Sequence, residues 1–177
     1  MREDPLSATE EALAALRRLH ENVDRRAEAL RAEHADRLQC GLGCAACCLD
    51  GLSVSQIEAE RIRRAHPTLL TEGLPHAEGA CAFLSDDDAC RIYSDRPYVC
   101  RTQGLPLRWL AEDQEGEIQE HRDICELNLV GPPLAGLDEE ACWLLGPTEL
   151  AIDRIEQSWR PGPQLRVGLR TLFERER

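Results

Sequence analysis

A run of four cysteines within nine residues constrains this sequence more than any other feature. Its members are Cys40, Cys44, Cys47 and Cys48. Thiolates are soft, anionic ligands, and spacings of two and three residues let successive sulfurs reach one tetrahedral metal ion or one iron–sulfur cluster. Gly41 and Gly43 allow tight turns and leave room for backbone N–H groups to approach the sulfurs. The run therefore predicts a metal site in a loop.

Further cysteines extend the candidate ligand set to eight. They are Cys81, Cys90, Cys100 and Cys125. Eight thiolates are enough for two four-sulfur sites, and a single four-sulfur site with the other cysteines in reserve is the simpler alternative. Adjacent Cys47 and Cys48 point in different directions, so both bind metal only if two metals are close or if one of the thiols serves a neighbour. The ninth, Cys142, lies beside Trp143 in a predicted short helix and is expected to be an inert core thiol.

Composition excludes several classes of function. All 21 basic residues are arginines, which removes Schiff-base chemistry and the P-loop lysine because both need an ε-amine. The formal charge of −12 argues against a protein that binds nucleic acid through its phosphates. We identify no catalytic residues, and whether the chain is an enzyme stays open.

The start of the chain predicts a cytoplasmic protein. It is charged at Met1 to Leu6 and carries no signal-peptide core, and the sequence has no span long enough to cross a bilayer. Nine cysteines in a reducing compartment indicate metal or redox chemistry rather than disulfides.

The apolar pattern predicts a small, mostly helical α+β domain built around the cysteine-ligated metal site. A capping box at Ser7 opens a long amphipathic helix that reaches about residue 38, and a second box at Ser55–Glu58 opens a helix that stops before Pro67. We expect a loop over 67–80, a tight turn or hairpin over 81–93 and a strand near 105–110. Three helices follow, over 138–145, 148–159 and 164–176.

Three segments follow from this organisation. Residues 1–38 form the N-terminal helix, 39–130 the cysteine-cluster domain, and 131–177 a helical segment packed on that domain. The first helix is expected to pack along the domain, and the alternative is that it forms a seam with a protein partner or a second copy of the chain. The five histidines show no ligand spacing and are expected at the surface or at helix caps.

The first three cysteines also match the spacing with which radical SAM enzymes hold a [4Fe-4S] cluster. Those enzymes place the motif in a repeated strand–helix barrel. Here a long helix comes first and few parallel strands follow, so a radical SAM barrel is not expected.

The full cysteine pattern resembles a known family. The segments that carry the resemblance are Cys40-x3-Cys44-x2-Cys47-Cys48, Cys81-Ala-Phe-Leu, Cys90-Arg-Ile-Tyr-Ser-Asp-Arg-Pro-Tyr-Val-Cys100-Arg, Gly104-Leu-Pro-Leu107 and Cys125-Glu-Leu-Asn128. They are similar to the YkgJ-type cysteine-cluster proteins, which are described as a zinc- or iron-chelating domain. The resemblance covers roughly residues 38–130 and implies metal or iron–sulfur binding. A related pattern occurs in the larger flagellin lysine methylases of the FliB type.

A buried four-thiolate site is anionic and needs compensation by cations or N–H donors. Arg91, Arg96 and Arg101 lie among the second set of cysteines and are the candidates for that role. The leading expectation is a protein that binds zinc ions or an iron–sulfur cluster, for redox chemistry, metal handling or a cluster-dependent step. The alternatives are a zinc-stapled interaction module and a small iron–sulfur enzyme.

Overall fold

Helix α1 (Glu10–Glu33) is the longest element of the computed structural model, which describes residues 8–41 and 43–173. The Thr9 side chain caps it by accepting a hydrogen bond from the Ala12 amide at 3.2 Å. The helix buries one apolar face, with Leu16 and Leu30 fully covered, and it contacts α2 (Gln56–Ala65), α4 (Tyr98–Thr102) and α5 (Pro147–Trp159). It therefore packs along the domain.

The end of α1 corrects the sequence prediction. The helix stops at Glu33, five residues before the predicted end, because the chain turns at His34 and the His34 N–H closes the last turn on the Leu30 carbonyl. Its 24 residues span about 36 Å. The predicted cap Ser7 lies outside the described residues.

Two small sheets accompany the helices, and together they make a small single-domain α+β structure. In the first, β1 (Ser53–Ser55) pairs antiparallel with β5 (Arg166–Gly168). In the second, β2 (Leu107–Glu112) pairs antiparallel with β3 (Ile118–Asp123) and parallel with β4 (Trp143–Leu144).

The core consists of two apolar clusters. One lies between α1 and α5 and includes Ile57, Tyr98 and Trp143. The other is built around Phe83 and Ile92, contains Cys81, and has Cys48 and Cys90 packed against it. Part of the cysteine set is thus anchored on the second cluster.

Three helix and loop predictions are corrected, two of them because distant segments pair. The predicted 67–80 loop begins with helix α3 (Pro67–Glu72). The predicted 138–145 helix is a 3-10 turn at Glu139–Ala141 followed by β4, and the Trp143 N–H donates to the Pro106 carbonyl at 2.8 Å. The predicted 164–176 helix is β5 followed by the 3-10 turn Arg170–Phe173. Residues 174–177 lie outside the described residues.

The remaining local signals are confirmed. Ser55 and Glu58 form the predicted capping box of α2, which ends at Ala65. Within the described residues, no helix has both the length and the apolar character needed to cross a bilayer.

Candidate metal centre

All nine cysteines are free thiols. The first run follows α1 in irregular structure, and the second set is joined to it directly, since the Cys81 N–H donates to the Cys48 carbonyl at 2.8 Å. A β-bridge between Leu49 and Ala80 extends this link. Two cysteine groups that are far apart in the sequence are therefore neighbours in the fold.

Cys81 and Cys90 lie on either side of a tight loop closed by a bridge between Leu84 and Cys90. Each sulfur accepts a hydrogen bond from the backbone N–H two residues further on, Cys81 from Phe83 and Cys90 from Ile92. Burial raises the pKa of both thiols and outweighs these bonds. Backbone donors aimed at sulfur suit a thiolate ligand, because they compensate its charge and fix its orientation.

Cys100 lies on the short helix α4. The buried Glu58 carboxylate holds the first turn of this helix by accepting from the Tyr98 N–H at 2.7 Å. Burial, followed by the nearby thiols of Cys81 and Cys90, raises the pKa of Cys100 to about 12. Cys100 therefore belongs with the second set of cysteines.

Cys40 and Cys125 are neighbours, since the thiol of Cys125 contributes to the raised pKa of Cys40. Cys125 precedes the 3-10 turn Glu126–Asn128, whose last residue donates its N–H to the Cys125 carbonyl at 2.7 Å. The Asn128 side-chain amide donates to the Cys40 sulfur at 3.2 Å. This contact ties the first cysteine of the sequence to the segment that holds the eighth.

The thiols act on one another electrostatically in two overlapping groups. Burial raises the pKa of Cys40, and the thiols of Cys44, Cys125 and Cys47 add to that increase. The pKa of Cys48 is raised by its hydrogen bond with Cys47, by burial, and by the thiols of Cys81 and Cys100.

Cys47 belongs to both groups. The hydrogen bond from Cys48 lowers the pKa of the Cys47 thiol to about 6. The two adjacent thiols are thus hydrogen-bonded to each other. The charge of Cys47 also raises the pKa of Cys40 and the pKa of Cys100.

The cysteines lie on neighbouring segments, but in the part of the chain that the structure describes their sulfurs do not form a metal-binding group. Among residues 8–41 and 43–173, no three histidine, cysteine, aspartate or glutamate side chains form a group that could hold a metal ion. Gly41 and Gly43 have open space around them, and Gly43 has a φ of +82°. Metal sites whose ligands lie on such loops are commonly completed by the metal itself. The donor chemistry, a set of thiols with N–H groups bonded to three of them, fits zinc or iron.

The three candidate arginines lie next to the second set of cysteines in the sequence, and their hydrogen bonds and ion pairs go to oxygen atoms. Arg96 and Arg101 both pair with Asp24 on α1. Arg91 donates to the Ala82 carbonyl at 2.5 Å, with its guanidinium over the Phe173 ring. The charges of Arg96 and Arg91 lower the pKa of Cys90 against the effect of burial. Within the described part of the chain, the buried Nε atoms of Arg91 and Arg101 have no hydrogen-bond partner.

Cys142 is 4% exposed, which confirms the expected burial of the ninth thiol. Burial raises its pKa, and its charged neighbours are Arg122, Arg108, Glu120 and Glu33 rather than other cysteines. It lies apart from the candidate site.

Two residues that contribute to the site were not identified by cysteine spacing. Asn128 contacts Cys40, as described above. Arg170 makes two bonds to the Asp50 carboxylate, at 2.9 and 2.8 Å, and also donates to the carbonyls of His76 and Ala80. It thereby fixes the chain just after Cys48 and just before Cys81. Asn128 ends the Cys125-Glu-Leu-Asn128 segment of the family resemblance, but nothing in the sequence assigned it a contact with Cys40, and no local signal marks Arg170.

Comparison with protein families gives a match to the cysteine segment. Residues 39–126 match the model of the CxxCxxCC family, described as "Putative zinc- or iron-chelating domain". The match spans the whole candidate ligand set, from Cys40 to Cys125, and supports metal binding. Comparisons with curated proteins and with solved structures give no significant match.

Proposed function

We propose that this chain is a member of that family and binds zinc or iron through cysteine thiolates of residues 39–130. The ligands are drawn from Cys40, Cys44, Cys47, Cys48, Cys81, Cys90, Cys100 and Cys125. The N-terminal helix and the segment after residue 130 support this metal-binding part. When bound, a four-thiolate zinc would stabilise the fold, whereas an iron–sulfur cluster would supply redox chemistry.

The observation that carries the proposal is the provision of N–H donors for thiols on separate segments. Cys81 and Cys90 receive backbone donors, and Cys40 receives a side-chain amide. Sulfur is a weak acceptor when it is a thiol and a much better one when it is a thiolate. Burial keeps the free thiols of Cys81, Cys90 and Cys40 protonated, and their N–H donors would compensate part of the charge of the thiolates once metal is bound.

Metal content tests the proposal directly. The protein is purified without oxygen, its visible spectrum is recorded, and zinc, iron and acid-labile sulfide are measured per chain. One or two zinc ions in a colourless protein support a structural or metal-handling role, including a zinc-stapled interaction module. Brown protein with matching iron and sulfide supports a cluster with a redox or enzymatic role. Protein with neither metal, and with nine free thiols after reconstitution is attempted, contradicts the proposal.

Two buried cysteines provide a matched pair of variants. Cys81 and Cys142 are 9% and 4% exposed, and only Cys81 has other cysteines as charged neighbours. Each alanine variant removes one buried sulfur from the core. Cys81→Ala should reduce bound metal per chain, and Cys142→Ala should leave it at the wild-type level. Equal metal content in the two variants would contradict the assignment of Cys81 as a ligand.

A further inference from the structure

The Asn128 side chain is fully buried and makes three hydrogen bonds at one end of the site, two of them from its amide N–H groups. Its Oδ1 accepts from the Gln39 N–H at 2.8 Å. Its Nδ2 donates to the Gly104 carbonyl at 2.7 Å and to the Cys40 sulfur at 3.2 Å. A single amide thus connects the loop after α1, the chain before β2 and the first cysteine.

Gly104 also lies against the Cys40 sulfur. It has a φ of +89°, a conformation that side-chain-bearing residues rarely adopt, and a Cβ built there would lie 2.9 Å from the Cys40 sulfur. The same Cβ would lie 3.4 Å from the Asn128 Nδ2. The missing side chain leaves the space in which the Cys40 sulfur and the Asn128 amide meet.

The buried amide acts on an exposed thiol. Cys40 is the exposed member of the cysteine set, whereas Asn128 has 0% exposure. Two of the three Asn128 bonds connect backbone segments, and these would be the same without any thiol. The third bond serves the sulfur alone and fixes its position relative to the rigid Gly104 and Gln39 backbone.

We infer that Asn128 and Gly104 form a holder that positions Cys40 as a metal ligand, with Asn128 as the positioning residue. The inference rests on the proposed function, because it needs a metal for Cys40 to bind. Asn128 lies two residues beyond the end of the family match at residue 126. Groups that hydrogen-bond to metal ligands change metal affinity by about 10- to 100-fold when they are removed.

A double-mutant cycle tests whether Asn128 acts through Cys40. The probe is Co²⁺, titrated anaerobically into full-length protein, with the sulfur-to-cobalt charge-transfer absorption as the spectroscopic signal. Asn128→Asp keeps an oxygen for the Gln39 N–H and removes the donor to sulfur. It also removes the donor to the Gly104 carbonyl, but that loss is common to the wild-type and Cys40→Ala backgrounds and cancels in the cycle. We expect it to weaken Co²⁺ binding about 10-fold or more. In a Cys40→Ala background the same substitution should cause little further loss, because its target is absent.

Gly104→Ala provides a second test that does not depend on the Asn128 variant. Its added methyl group would collide with the Cys40 sulfur, whereas the Cys40 Cβ is 3.9 Å away. The loss of stability in urea should therefore be larger in the wild-type background than in the Cys40→Ala background. The backbone strain at Gly104 is common to both backgrounds and cancels in the comparison.

The outcomes separate this inference from the proposed function. Wild-type protein that binds no Co²⁺, no zinc and no iron would contradict both. Wild-type protein that binds Co²⁺, combined with Asn128→Asp and Cys40→Ala effects that simply add, would contradict the holder and leave the metal site standing. A Cys40→Ala variant with wild-type affinity and an unchanged charge-transfer band would also overturn the inference. Non-additive effects in both cycles would support it.

Discussion

At the scale of single residues, buried polar side chains hold the segments that carry the cysteines. His20 is 2% exposed, which corrects the expectation of a surface or cap histidine. Its Nδ1 accepts from Arg61 at 2.8 Å, and its Nε2 donates to Glu58 at 3.3 Å. Burial lowers the pKa of His20 despite the Glu58 carboxylate. The hydrogen bonds from His20 and Tyr98 outweigh burial and lower the pKa of Glu58. A neutral histidine therefore faces an ionised glutamate that holds α4 and Cys100.

Asp50 gives a residue-scale prediction with a defined pH window. The hydrogen bonds from Arg170 lower the pKa of Asp50 from 3.8 to about 2. A depressed carboxyl pKa means that the unfolded chain takes up the proton first on acidification. The stabilisation is therefore complete above about pH 4 and is lost as the pH falls through about 2.

We expect Asp50→Asn to lower the free energy of unfolding at pH 7, with a difference from wild type that shrinks between pH 4 and pH 2. Urea unfolding at pH 7, 5, 4, 3 and 2 measures this difference. Asp86→Asn, in the exposed turn after Leu84, removes the same charge and should cost less at pH 7. A wild-type advantage that is absent at pH 7, or that persists unchanged at pH 2, would contradict the role of the Arg170 bonds.

At the scale of elements, local signals predicted the helices that start with strong caps and failed where distant segments pair. The capping box at Ser55 was sufficient to predict α2, because both of its hydrogen bonds lie within four residues. The 164–176 segment has a helical pattern, yet Leu169 donates its N–H to Leu52 at 2.8 Å as part of the β1–β5 pairing. Pairing with a strand more than a hundred residues away is invisible to local periodicity.

The same distinction applies to the candidate site. Cysteine spacing identifies the candidate thiols, because each carries its own chemistry. The bonds of Asn128 to Cys40 and of Arg170 to Asp50 join residues 88 and 120 positions apart. The resemblance includes Asn128 but gives no contact for it, and an arginine near the C-terminus is ordinary in sequence. Only the fold makes them part of the site.

Helix α5 provides an element-scale prediction because its two faces differ sharply. Ile152 is 5% exposed in the cluster shared with α1, whereas Leu150, two residues earlier, is 58% exposed. Ile152→Ala should destabilise the protein by about 2–4 kcal/mol through lost burial and a cavity. Leu150→Ala on the same helix should change stability by less than about 0.5 kcal/mol. Urea unfolding of both variants checks the prediction, and similar losses would show that α5 does not pack on α1 through Ile152.

At the scale of the whole molecule, the candidate metal site draws its thiols from four separate parts of the chain. Its thiols come from the loop after α1, the turn around 81–90, helix α4 and the segment after β3. Arg170 and Asn128 add contacts from the last third of the chain. A metal that bound several of these thiols at once would cross-link the fold. Binding free energy would then appear as folding free energy.

This linkage gives a prediction for the whole protein. Zinc that binds the folded chain raises its free energy of unfolding by RT ln(1 + [L]/Kd), which is about 2.7 kcal/mol at a free concentration of 100 Kd. We expect the Tm of reduced, metal-free protein to rise with added Zn²⁺ and to return to its starting value with a chelator.

Cys142→Ala should show the same zinc-dependent rise from a lower starting Tm, since its thiol lies apart from the site. Cys81→Ala should show a smaller rise because one candidate ligand is missing. A Tm that is independent of zinc in the wild type, or an equal rise in both variants, would mean that the thiols around Cys81 do not hold the metal that stabilises the fold.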